Sequence, residues 1–524
     1  MANNKQAPIE GGRQVWASQT GFILAAIGSA IGLGNIWRFP GVAYTNGGGA
    51  FLVPYLVALL FAGIPILFLD YAIGHRYRGS APLALRRMNK KFEWVGWWQV
   101  LISFIIMIYY AVIIGWAIMF IYYSVGEQWG EDTPGFFAGS FLHLPDVESQ
   151  AFSLQPVWHI LIPVAIVWLA IIFIISRGVS HGIERANKVF IPLLVVIFVI
   201  MVGRALFLPG ALDGLNQFFT PNWGALADYK VWLAAFSQIF FSLSVAFGIM
   251  LTYASYLPKN SNLTGTGLVA GFANSSFEIL AGIGVFATLG FMAAQQGMTI
   301  AEYGENAGLT GVGLAFMTFP AIISQMPGGS LFGVLFFASL VLAGITSLLS
   351  LMQVVTGAME DKFGWSTARS SWIVGIVSML FSVLFFAATT GLNILDIVDN
   401  FINNIGVVSS AVMMTLAVSL VARNTGTLRR HLNKYSTVKM PKAWEWLVGY
   451  ILPIVLLFMM ATTAIDLVKN GYGGYPNWLV TVFGWGSIVL GLVVAAVFTA
   501  MKWKTIPDGF DAELEHALDE GQVK

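Results

Sequence analysis

The sequence predicts an all-α integral membrane protein with about twelve membrane-spanning helices. The chain of 524 residues is 57% hydrophobic and only 10% charged, whereas soluble domains carry about 25% charged residues. Its apolar residues fall into runs of about 20 or more, the length that an α-helix needs to cross a bilayer. Glycine and polar residues in the middle of two of these runs predict two interrupted helices.

The composition excludes several other classes of protein. The net charge is +1 and basic residues do not cluster with aromatic ones, so we expect no nucleic-acid partner. The absence of cysteine excludes disulfides, thiolate metal sites and cysteine nucleophiles. The six histidines are scattered through loops and span ends without a nucleophile–base pair, so we expect no enzyme. Residues 1–15 are polar, and we expect no signal peptide.

The apolar runs define the spans in chain order. The stretch near 305–325 is short and interrupted by prolines and glycines, and we expect an external re-entrant hairpin there. The predicted spans are 18–43, 48–73, 96–124, 157–176, 188–208, 231–256, 266–295, 329–358, 370–389, 397–421, 446–467 and 478–501.

Loop charges predict the orientation, because cytoplasmic loops carry an excess of Lys and Arg. The loops after predicted spans two, four and ten are basic, and the long loop after span three is acidic. The basic residues are Arg76, Arg78, Arg86, Arg87, Lys90, Lys91, Arg177, Arg185, Lys188, Arg423, Arg429, Arg430, Lys434, Lys439 and Lys442. With an even number of spans, both termini are cytoplasmic in a multi-pass protein of the cell (plasma) membrane.

The first run is interrupted at Gly28-Ser29-Ala30-Ile31-Gly32-Leu33-Gly34-Asn35. Each glycine costs a helix about 0.8–1 kcal/mol relative to alanine. Backbone freed at membrane depth is tolerated only beside protein or a water-filled cavity. Its carbonyls can bind cations, and the N-terminus of the next half-helix can bind an anion. The alternative is close helix packing, because Gly28 and Gly32 form a small-xxx-small pair.

The sixth run is interrupted in the same way by Gln238, Ser242, Ser244 and Gly248. It lies where a repeat of five spans would begin again. Interrupted helices at corresponding positions in two halves are typical of transporters with a binding site near the bilayer midplane. The correspondence favours a binding site over packing alone.

Several motifs resemble the neurotransmitter:sodium symporter family, whose structural type is the leucine transporter LeuT. The most specific is Gly32-Leu33-Gly34-Asn35-Ile36-Trp37-Arg38-Phe39-Pro40 followed by Asn46-Gly47-Gly48-Gly49-Ala50-Phe51. The others are Tyr109-Tyr110, Gly182-Ile183-Glu184-Arg185, Gln238-Ile239-Phe240-Phe241, Thr252-Tyr253-Ala254-Ser255-Tyr256 and Ala343-Gly344-Ile345-Thr346-Ser347. The resemblance implies the LeuT fold, with a five-plus-five inverted repeat, unwound helices 1 and 6, and sodium-driven uptake by alternating access.

The resemblance also implies how the chain is organised. A cytoplasmic N-terminal segment precedes the first inverted repeat, and the second repeat follows an external loop. Two further spans follow a cytoplasmic loop and precede a cytoplasmic tail. These segments are 1–17, 18–208, 209–421, 422–503 and 504–524.

The resemblance implies two sodium sites built from hard oxygen ligands, which suit a membrane site with unwound backbone. The first would use the Ala30 carbonyl, the Asn35 amide oxygen, Ser242, Asn274 and the substrate carboxylate. The second would use the carbonyls of Gly28, Ile31 and Ala343 and the hydroxyls of Thr346 and Ser347. Alternatively, the hydroxyls of Thr346 and Ser347 have a structural role and bond to the backbone of their own helix. For Asn274, the structural alternative is a hydrogen bond between helices.

A substrate site follows from the same resemblance. The carboxylate would lie on the helix N-terminus at Leu33 and Gly34, with Tyr110 as a donor. Glycine at position 32, where relatives that carry amines without a carboxyl group place aspartate, implies an α-amino acid. The full set of substrate residues is Ser29, Ala30, Gly32, Leu33, Gly34, Ile106, Tyr110, Phe241, Ser242, Ser244, Phe247, Ser347 and Leu351. The side-chain pocket among them is uncharged, so alanine-, leucine- or methionine-like side chains are expected.

Two gates and one buried acid complete the predicted site. Arg38 and Asp399 form a candidate outer ion pair, with Phe247 and Tyr110 as the lid beneath. The inner gate pairs Arg13 with Asp361 and is supported by Trp16, Tyr256 and Ser255. Glu278 lies in an apolar span, and chloride-dependent relatives place a serine there. Its carboxylate is therefore expected to replace chloride, or alternatively to be a protonated structural acid.

The predicted function is sodium-coupled import of neutral, hydrophobic α-amino acids, with two sodium ions and without chloride. The expected partners are the amino-acid substrate and the lipid bilayer, and an accessory subunit is left open. One alternative is a sodium-coupled carrier of an osmolyte such as betaine or taurine. Another is a transporter-like sensor subunit that binds without flux.

Overall fold

The computed structural model describes residues 9–10, 13–148, 150–300, 302 and 311–504. Within this part, ten helices are long and apolar enough to cross a membrane, and one bent pair of helices, Gln19–Ala30 and Leu33–Thr45, passes the same test. A second pair, Tyr229–Ser242 and Ile249–Ser255, lies where the sixth span is predicted. The predicted all-α membrane fold is confirmed.

The helices follow the predicted spans closely, and we number them in chain order. The two interrupted spans are 1 (halves 1a, Gln19–Ala30, and 1b, Leu33–Thr45) and 6 (halves 6a, Tyr229–Ser242, and 6b, Ile249–Ser255). The continuous spans are 2 (Gly49–Tyr77), 3 (Lys90–Ser124), 4 (Trp158–Ser176), 5 (Val179–Ala205), 7 (Leu263–Gln296), 8 (Gly329–Phe363), 9 (Thr367–Phe386), 10 (Gly391–Val421), 11 (Ala443–Asn470) and 12 (Asn477–Ala500).

Shorter elements join the spans. A helix at Ala81–Met88 links spans 2 and 3, Ala211–Phe219 precedes span 6, and Thr425–Tyr435 follows span 10. The predicted hairpin near 305–325 is described only from Gly311, as a short apolar helix, Gly311–Gln325. Ile9–Glu10 and Arg13–Gln14 pair as two very short antiparallel strands.

Span 1 bends by 49° at its interruption. Half 1a begins at an N-cap, Ser18, whose side chain accepts a hydrogen bond from the Gly21 amide. Half 1b begins after Gly32, whose amide donates to the Asn35 side chain at 2.9 Å. The short polar side chain of Asn35 therefore satisfies a backbone group that the break exposes, as helix caps do.

Span 6 is interrupted between Ser242 and Ile249, and its backbone enters the left-handed region at Ser244, Ala246 and Gly248 (φ 54°, 66° and 87°). Positive φ is uncommon for residues other than glycine and needs support from the surroundings. Three buried side chains from other spans bind this backbone. Asp70 accepts from the Ala246 amide at 2.9 Å, Ser410 donates to the Ala246 carbonyl at 2.5 Å, and Ser103 donates to the Phe247 carbonyl at 2.8 Å. The break is therefore a fixed feature of the packed interior.

Candidate functional site

A small central cavity lies between the two breaks. Its volume is ≈370 Å³ including its open side. Its lining residues are Ser29, Ala30, Gly32, Asn35, Ile106, Tyr110, Phe241, Ser244, Phe247, Ile249, Ser347, Ser350 and Leu351. Among the described residues, no charged side chain lines it.

This cavity brings together most of the residues that the sequence predicts for the substrate. Leu33, Gly34 and Ser242 are the members of the predicted set that do not line it. Asn35, Ile249 and Ser350 line it but are missing from that set, although Asn35 is predicted for the first sodium site. Ser350 lies one helical turn beyond Ser347, which is the spacing that could have identified it. Its hydroxyl accepts a hydrogen bond from Ser29 at 2.9 Å.

The N-terminus of half 1b faces Tyr110. The Leu33 amide donates to the Tyr110 hydroxyl at 2.9 Å. A Cβ atom on Gly32 would lie 2.8 Å from that hydroxyl and 2.9 Å from the Ser347 hydroxyl. Only glycine fits here without a shift of these groups. Main-chain amides at a helix N-terminus, together with a tyrosine hydroxyl, form a donor set suited to a carboxylate.

Three amide and hydroxyl side chains meet beside the cavity. The Asn35 amide nitrogen donates to the Asn274 oxygen at 2.8 Å and lies 3.4 Å from the Ser242 hydroxyl. Asn274 donates to Ser242 at 2.5 Å. The Asn35 oxygen accepts from the Gly32 amide, and its second lone pair is left for another partner. The structure thus joins spans 1, 6 and 7 at the residues expected for the first sodium ion.

The residues expected for the second sodium ion are also neighbours. The Ser347 hydroxyl lies 3.4 Å from the carbonyls of Gly28 and Ser29 and 3.5 Å from that of Ile31. The Thr346 hydroxyl donates to the Ala343 carbonyl at 3.0 Å. This last bond is the alternative that the sequence left open for a hydroxyl in a helix. The Thr346 oxygen keeps acceptor capacity, so the oxygens of spans 1 and 8 form a donor set that fits a sodium ion.

Glu278 is fully buried next to the amide cluster. Its carboxyl group accepts hydrogen bonds from the Tyr55 hydroxyl and, at 2.6 Å, from the Gln238 amide. Glu278 follows Asn274 by one turn on span 7, and Gln238 precedes Ser242 by one turn on span 6. This spacing sets the acid beside the polar cluster.

An outer vestibule of ≈1380 Å³, including its open side, lies above the central cavity. Tyr110 and Phe241 line both spaces and therefore separate them, whereas Phe247 lines only the central cavity. The prediction that Phe247 and Tyr110 form the lid is therefore wrong for Phe247, because Phe241 lies in that position. Phe241 belongs to the last turn of half 6a, against Gly34, while Phe247 follows the left-handed turns and lies deeper.

The predicted outer pair is not formed, although Arg38 and Asp399 both line the vestibule. The Arg38 guanidinium lies 4.9 Å from the centre of the Phe241 ring and 3.4 Å from the Ser237 hydroxyl. Asp399 accepts from the Tyr109 hydroxyl at 2.7 Å and from Asn403 at 2.8 Å. Among the salt bridges of the described residues, none joins Arg38 to Asp399.

The inner end is closed around Trp16. Its ring nitrogen donates to the Tyr253 carbonyl at 2.9 Å, and its amide donates to the Tyr256 carbonyl at 3.0 Å. Asp361 accepts from the Ser80 amide at 2.7 Å. The side chain of Arg13, its expected partner, lies outside the described part of the chain. The inner end is therefore closed by the contacts of Trp16, whereas the vestibule at the other end is open down to Tyr110 and Phe241.

A further contact at the inner end was not predicted. Glu184 of span 5 is 1% exposed and accepts hydrogen bonds at 2.7 Å from the Ala17 amide and from the Ser18 hydroxyl. Lys188 forms an ion pair with it at 2.7 Å. Glu184 lies within a motif of the sequence resemblance, but nothing in its local pattern indicates that it binds the start of span 1.

Comparison with known proteins identifies the same family on both sequence and structure. A profile of the sodium:neurotransmitter symporter family matches residues 13–133 and 128–506. An uncharacterised sodium-dependent transporter of Methanocaldococcus jannaschii is 41% identical over 491 residues, covering 94% of this chain and 98% of that protein. The sodium- and chloride-dependent GABA transporter ine of Drosophila melanogaster is 29% identical over 528 residues, covering 92% of this chain and 54% of that protein.

A solved structure, MhsT in complex with L-phenylalanine, superposes with a TM-score of 0.73 and 32% identity. It covers 86% of this chain and 100% of MhsT. The interrupted spans 1 and 6 and these matches lead to one conclusion: the chain belongs to the sodium:neurotransmitter symporter family, a family of transporters, and is a sodium-dependent, multi-pass membrane protein with the LeuT fold.

Proposed function

We propose that this protein imports neutral, hydrophobic α-amino acids together with sodium. One observation carries the proposal: an uncharged cavity lies against the N-terminus of half 1b, where the Leu33 amide and the Tyr110 hydroxyl meet. A substrate carboxylate fits these donors. Burying its negative charge requires a cation, because the described lining residues carry no positive charge. The phenylalanine in the MhsT structure supports the same substrate class.

The pocket walls support a hydrophobic side chain. Ile106, Phe241, Phe247, Ile249 and Leu351 supply apolar surface. The hydroxyls of Ser244 and Ser347 point to carbonyls of span 1, at 2.9 Å from Ser29 in the case of Ser244. The substrate amine would bind carbonyls of the span 6 break near Phe241 and Ser244.

Two sodium ions are proposed, one at Ala30, Asn35, Ser242 and Asn274, and one at Gly28, Ile31, Ala343, Thr346 and Ser347. Two sodium ions with a zwitterion would move two positive charges inward, which releases roughly 4.6 kcal/mol at 100 mV. Such a carrier would act at the cell membrane with both termini in the cytoplasm, which the basic loops support. The buried carboxylate of Glu278 supports transport without chloride.

Uptake into proteoliposomes tests the proposal. We expect labelled alanine, leucine or methionine to accumulate only with external sodium, and faster when a potassium diffusion potential makes the interior negative. A competition panel of the twenty amino acids with betaine and taurine identifies the substrate class. Inhibition by betaine or taurine alone would favour the osmolyte carrier, and sodium-independent binding without flux would favour the sensor.

Substitutions in the ion sites test the assignment separately. Asn35→Asp or Ser347→Ala should weaken sodium-dependent substrate binding, because each alters an oxygen donor next to an unwound carbonyl. Lys469→Gln, at the exposed outer end of span 11, is the matched control. Unchanged sodium affinity in both site variants would refute the assigned ligands.

A further inference from the structure

A second, apolar crevice opens at the outer end of the protein, apart from the central cavity. Its volume is ≈500 Å³ including its open mouth. Half 1b contributes Ile36, and the other walls come from spans 5, 7 and 8 and from the short helix Gly311–Gln325. Residues of the crevice include Met201, Val202 and Phe332. Five separate elements therefore form one pocket that the proposed transport site does not use.

The interior of the crevice suits a hydrocarbon chain. Thr288 is its one polar lining residue, and its hydroxyl donates to carbonyls of its own helix, at 2.7 Å to Val285 and 3.1 Å to Gly284. An apolar space of this kind does not hold ordered water. The adjoining face of span 5 is exposed, with Ile200 at 55% and, just beyond the end of the helix, Phe207 at 85%, so the crevice adjoins the surface that faces lipid.

One cation marks the mouth of the crevice. Arg204 lies between the lining residues Val202 and Ala205, and its guanidinium carbon is 6.0 Å from the centre of the Phe332 ring. None of the salt bridges found in the described residues involves Arg204. It belongs to the last turn of span 5, and the ends of membrane-spanning helices approach the headgroup region, where lipid phosphates lie. A guanidinium at that depth binds phosphate well.

We propose that this crevice binds one acyl chain of an anionic phospholipid of the outer leaflet, with the lipid phosphate on Arg204. The bound chain would contact Ile36, which directly follows Asn35 on half 1b. Occupancy would therefore support the half-helix that carries Arg38, without entering the central cavity.

Photocrosslinking tests this site on the full-length protein. The probe is phosphatidylglycerol with a diazirine in one acyl chain, added to delipidated protein in detergent, and mass spectrometry locates the labelled residues. We expect labels on Met201, Phe332 and their crevice neighbours. Unlabelled phosphatidylglycerol should compete about fivefold better than phosphatidylcholine with the same chains, because one basic residue near an anionic group gives about that factor.

Two substitutions separate the charge from the crevice. Arg204→Gln should lower labelling about fivefold, whereas Lys469→Gln, which removes an exposed charge at the outer end of span 11, should not. Thr288→Leu adds volume inside the crevice, removes no bond between elements, and should also lower labelling. Equal competition by both lipids, equal loss in Lys469→Gln, or labels confined to other surfaces would overturn the proposal. If a variant does not fold, the competition between phosphatidylglycerol and phosphatidylcholine on the unmodified protein still tests the proposal.

Discussion

Gly32 shows how one residue can determine the chemistry of the site. Its missing side chain leaves room for the Tyr110 and Ser347 hydroxyls at the start of half 1b. We predict that Gly32→Ala weakens amino-acid binding by about tenfold or more, because an added methyl group in a filled site typically costs about 1–3 kcal/mol. Isothermal titration with leucine or alanine in saturating sodium measures this effect.

A matched control is Gly203→Ala in span 5, since a Cβ atom there meets nothing within 4 Å. Its affinity should equal that of the unmodified protein. If Gly32→Ala binds amino acids as tightly as that control, the N-terminus of half 1b is not where the carboxylate binds.

The proposed role of Glu278 predicts whether transport requires chloride. In the proposed mechanism its carboxylate supplies, beside the Asn35–Ser242–Asn274 cluster, the negative charge that chloride supplies in relatives. We predict that replacing chloride by gluconate leaves transport by the unmodified protein unchanged, and that Glu278→Ser transports only with chloride. Asp466→Asn, an exposed acid of span 11, should behave as the unmodified protein does. Chloride dependence of the unmodified protein would contradict this role.

At the scale of single elements, the start of half 1a depends on span 5. Glu184 accepts hydrogen bonds from Ala17 and Ser18, and a Cβ atom on Gly21 would overlap its side chain at 2.2 Å. Loss of an N-cap partner costs about 0.5–2 kcal/mol. We predict that Glu184→Gln raises the hydrogen-exchange rate of the backbone amides of half 1a by roughly twofold to thirtyfold. Mass spectrometry of the protein in a sodium-containing buffer measures this rate.

The control for this variant is Glu445→Gln, which removes the ion pair with Arg429 in a segment away from half 1a. Exchange of half 1a should not change there. Equal protection of half 1a in both variants would mean that Glu184 does not stabilise its start.

The interruptions of spans 1 and 6 could be predicted from the sequence because glycine and polar residues are costly inside an apolar helix. The backbone geometry within these interruptions could not be predicted from the sequence. Asp70 gives no local signal that it binds the Ala246 amide, since the two residues come from spans far apart in the chain. The exchange of roles between Phe241 and Phe247 depends on left-handed turns at Ser244 and Ala246, which non-glycine residues seldom adopt.

For the whole molecule, a pair of histidines predicts how stability depends on pH. His431 lies on the helix Thr425–Tyr435, and its Nε2 atom is 2.8 Å from Nδ1 of His75 on span 2. Burial, with added repulsion from neighbouring cations, lowers the pKa of His431 well below its usual 6.5. In the unfolded chain the same ring takes up a proton near pH 6.5, so the unfolded state binds more protons below that pH.

Stability from this group is complete above about pH 6.5 and declines as the pH falls below it. We predict that the melting temperature in detergent decreases between pH 6.5 and 5, and that His431→Gln flattens this decrease while the exposed His143→Gln does not. An identical pH profile in His431→Gln would rule out this histidine as the cause.

The number and order of the spans follow from hydrophobicity and length, which do not depend on tertiary contacts. The state of the gates does not follow from them. The sequence predicts an Arg38–Asp399 pair, yet Arg38 contacts Phe241 and Ser237 while Tyr109 and Asn403 hold Asp399. A transporter that alternates between conformations has residues that form contacts in each of them. The sequence does not show which of these contacts form in the same conformation.

Trp16 closes the inner end through the carbonyl oxygens of residues 253 and 256 rather than through their side chains. Every amino acid provides a main-chain oxygen, so substitutions at those two positions can alter ring packing but cannot delete the acceptors. Substitutions at residues 253 and 256 therefore leave both hydrogen-bond acceptors of this barrier in place. Of the two bonds, only the one from the indole nitrogen to residue 253 can be removed by replacing the side chain of Trp16, since the bond to residue 256 is donated by its main-chain amide.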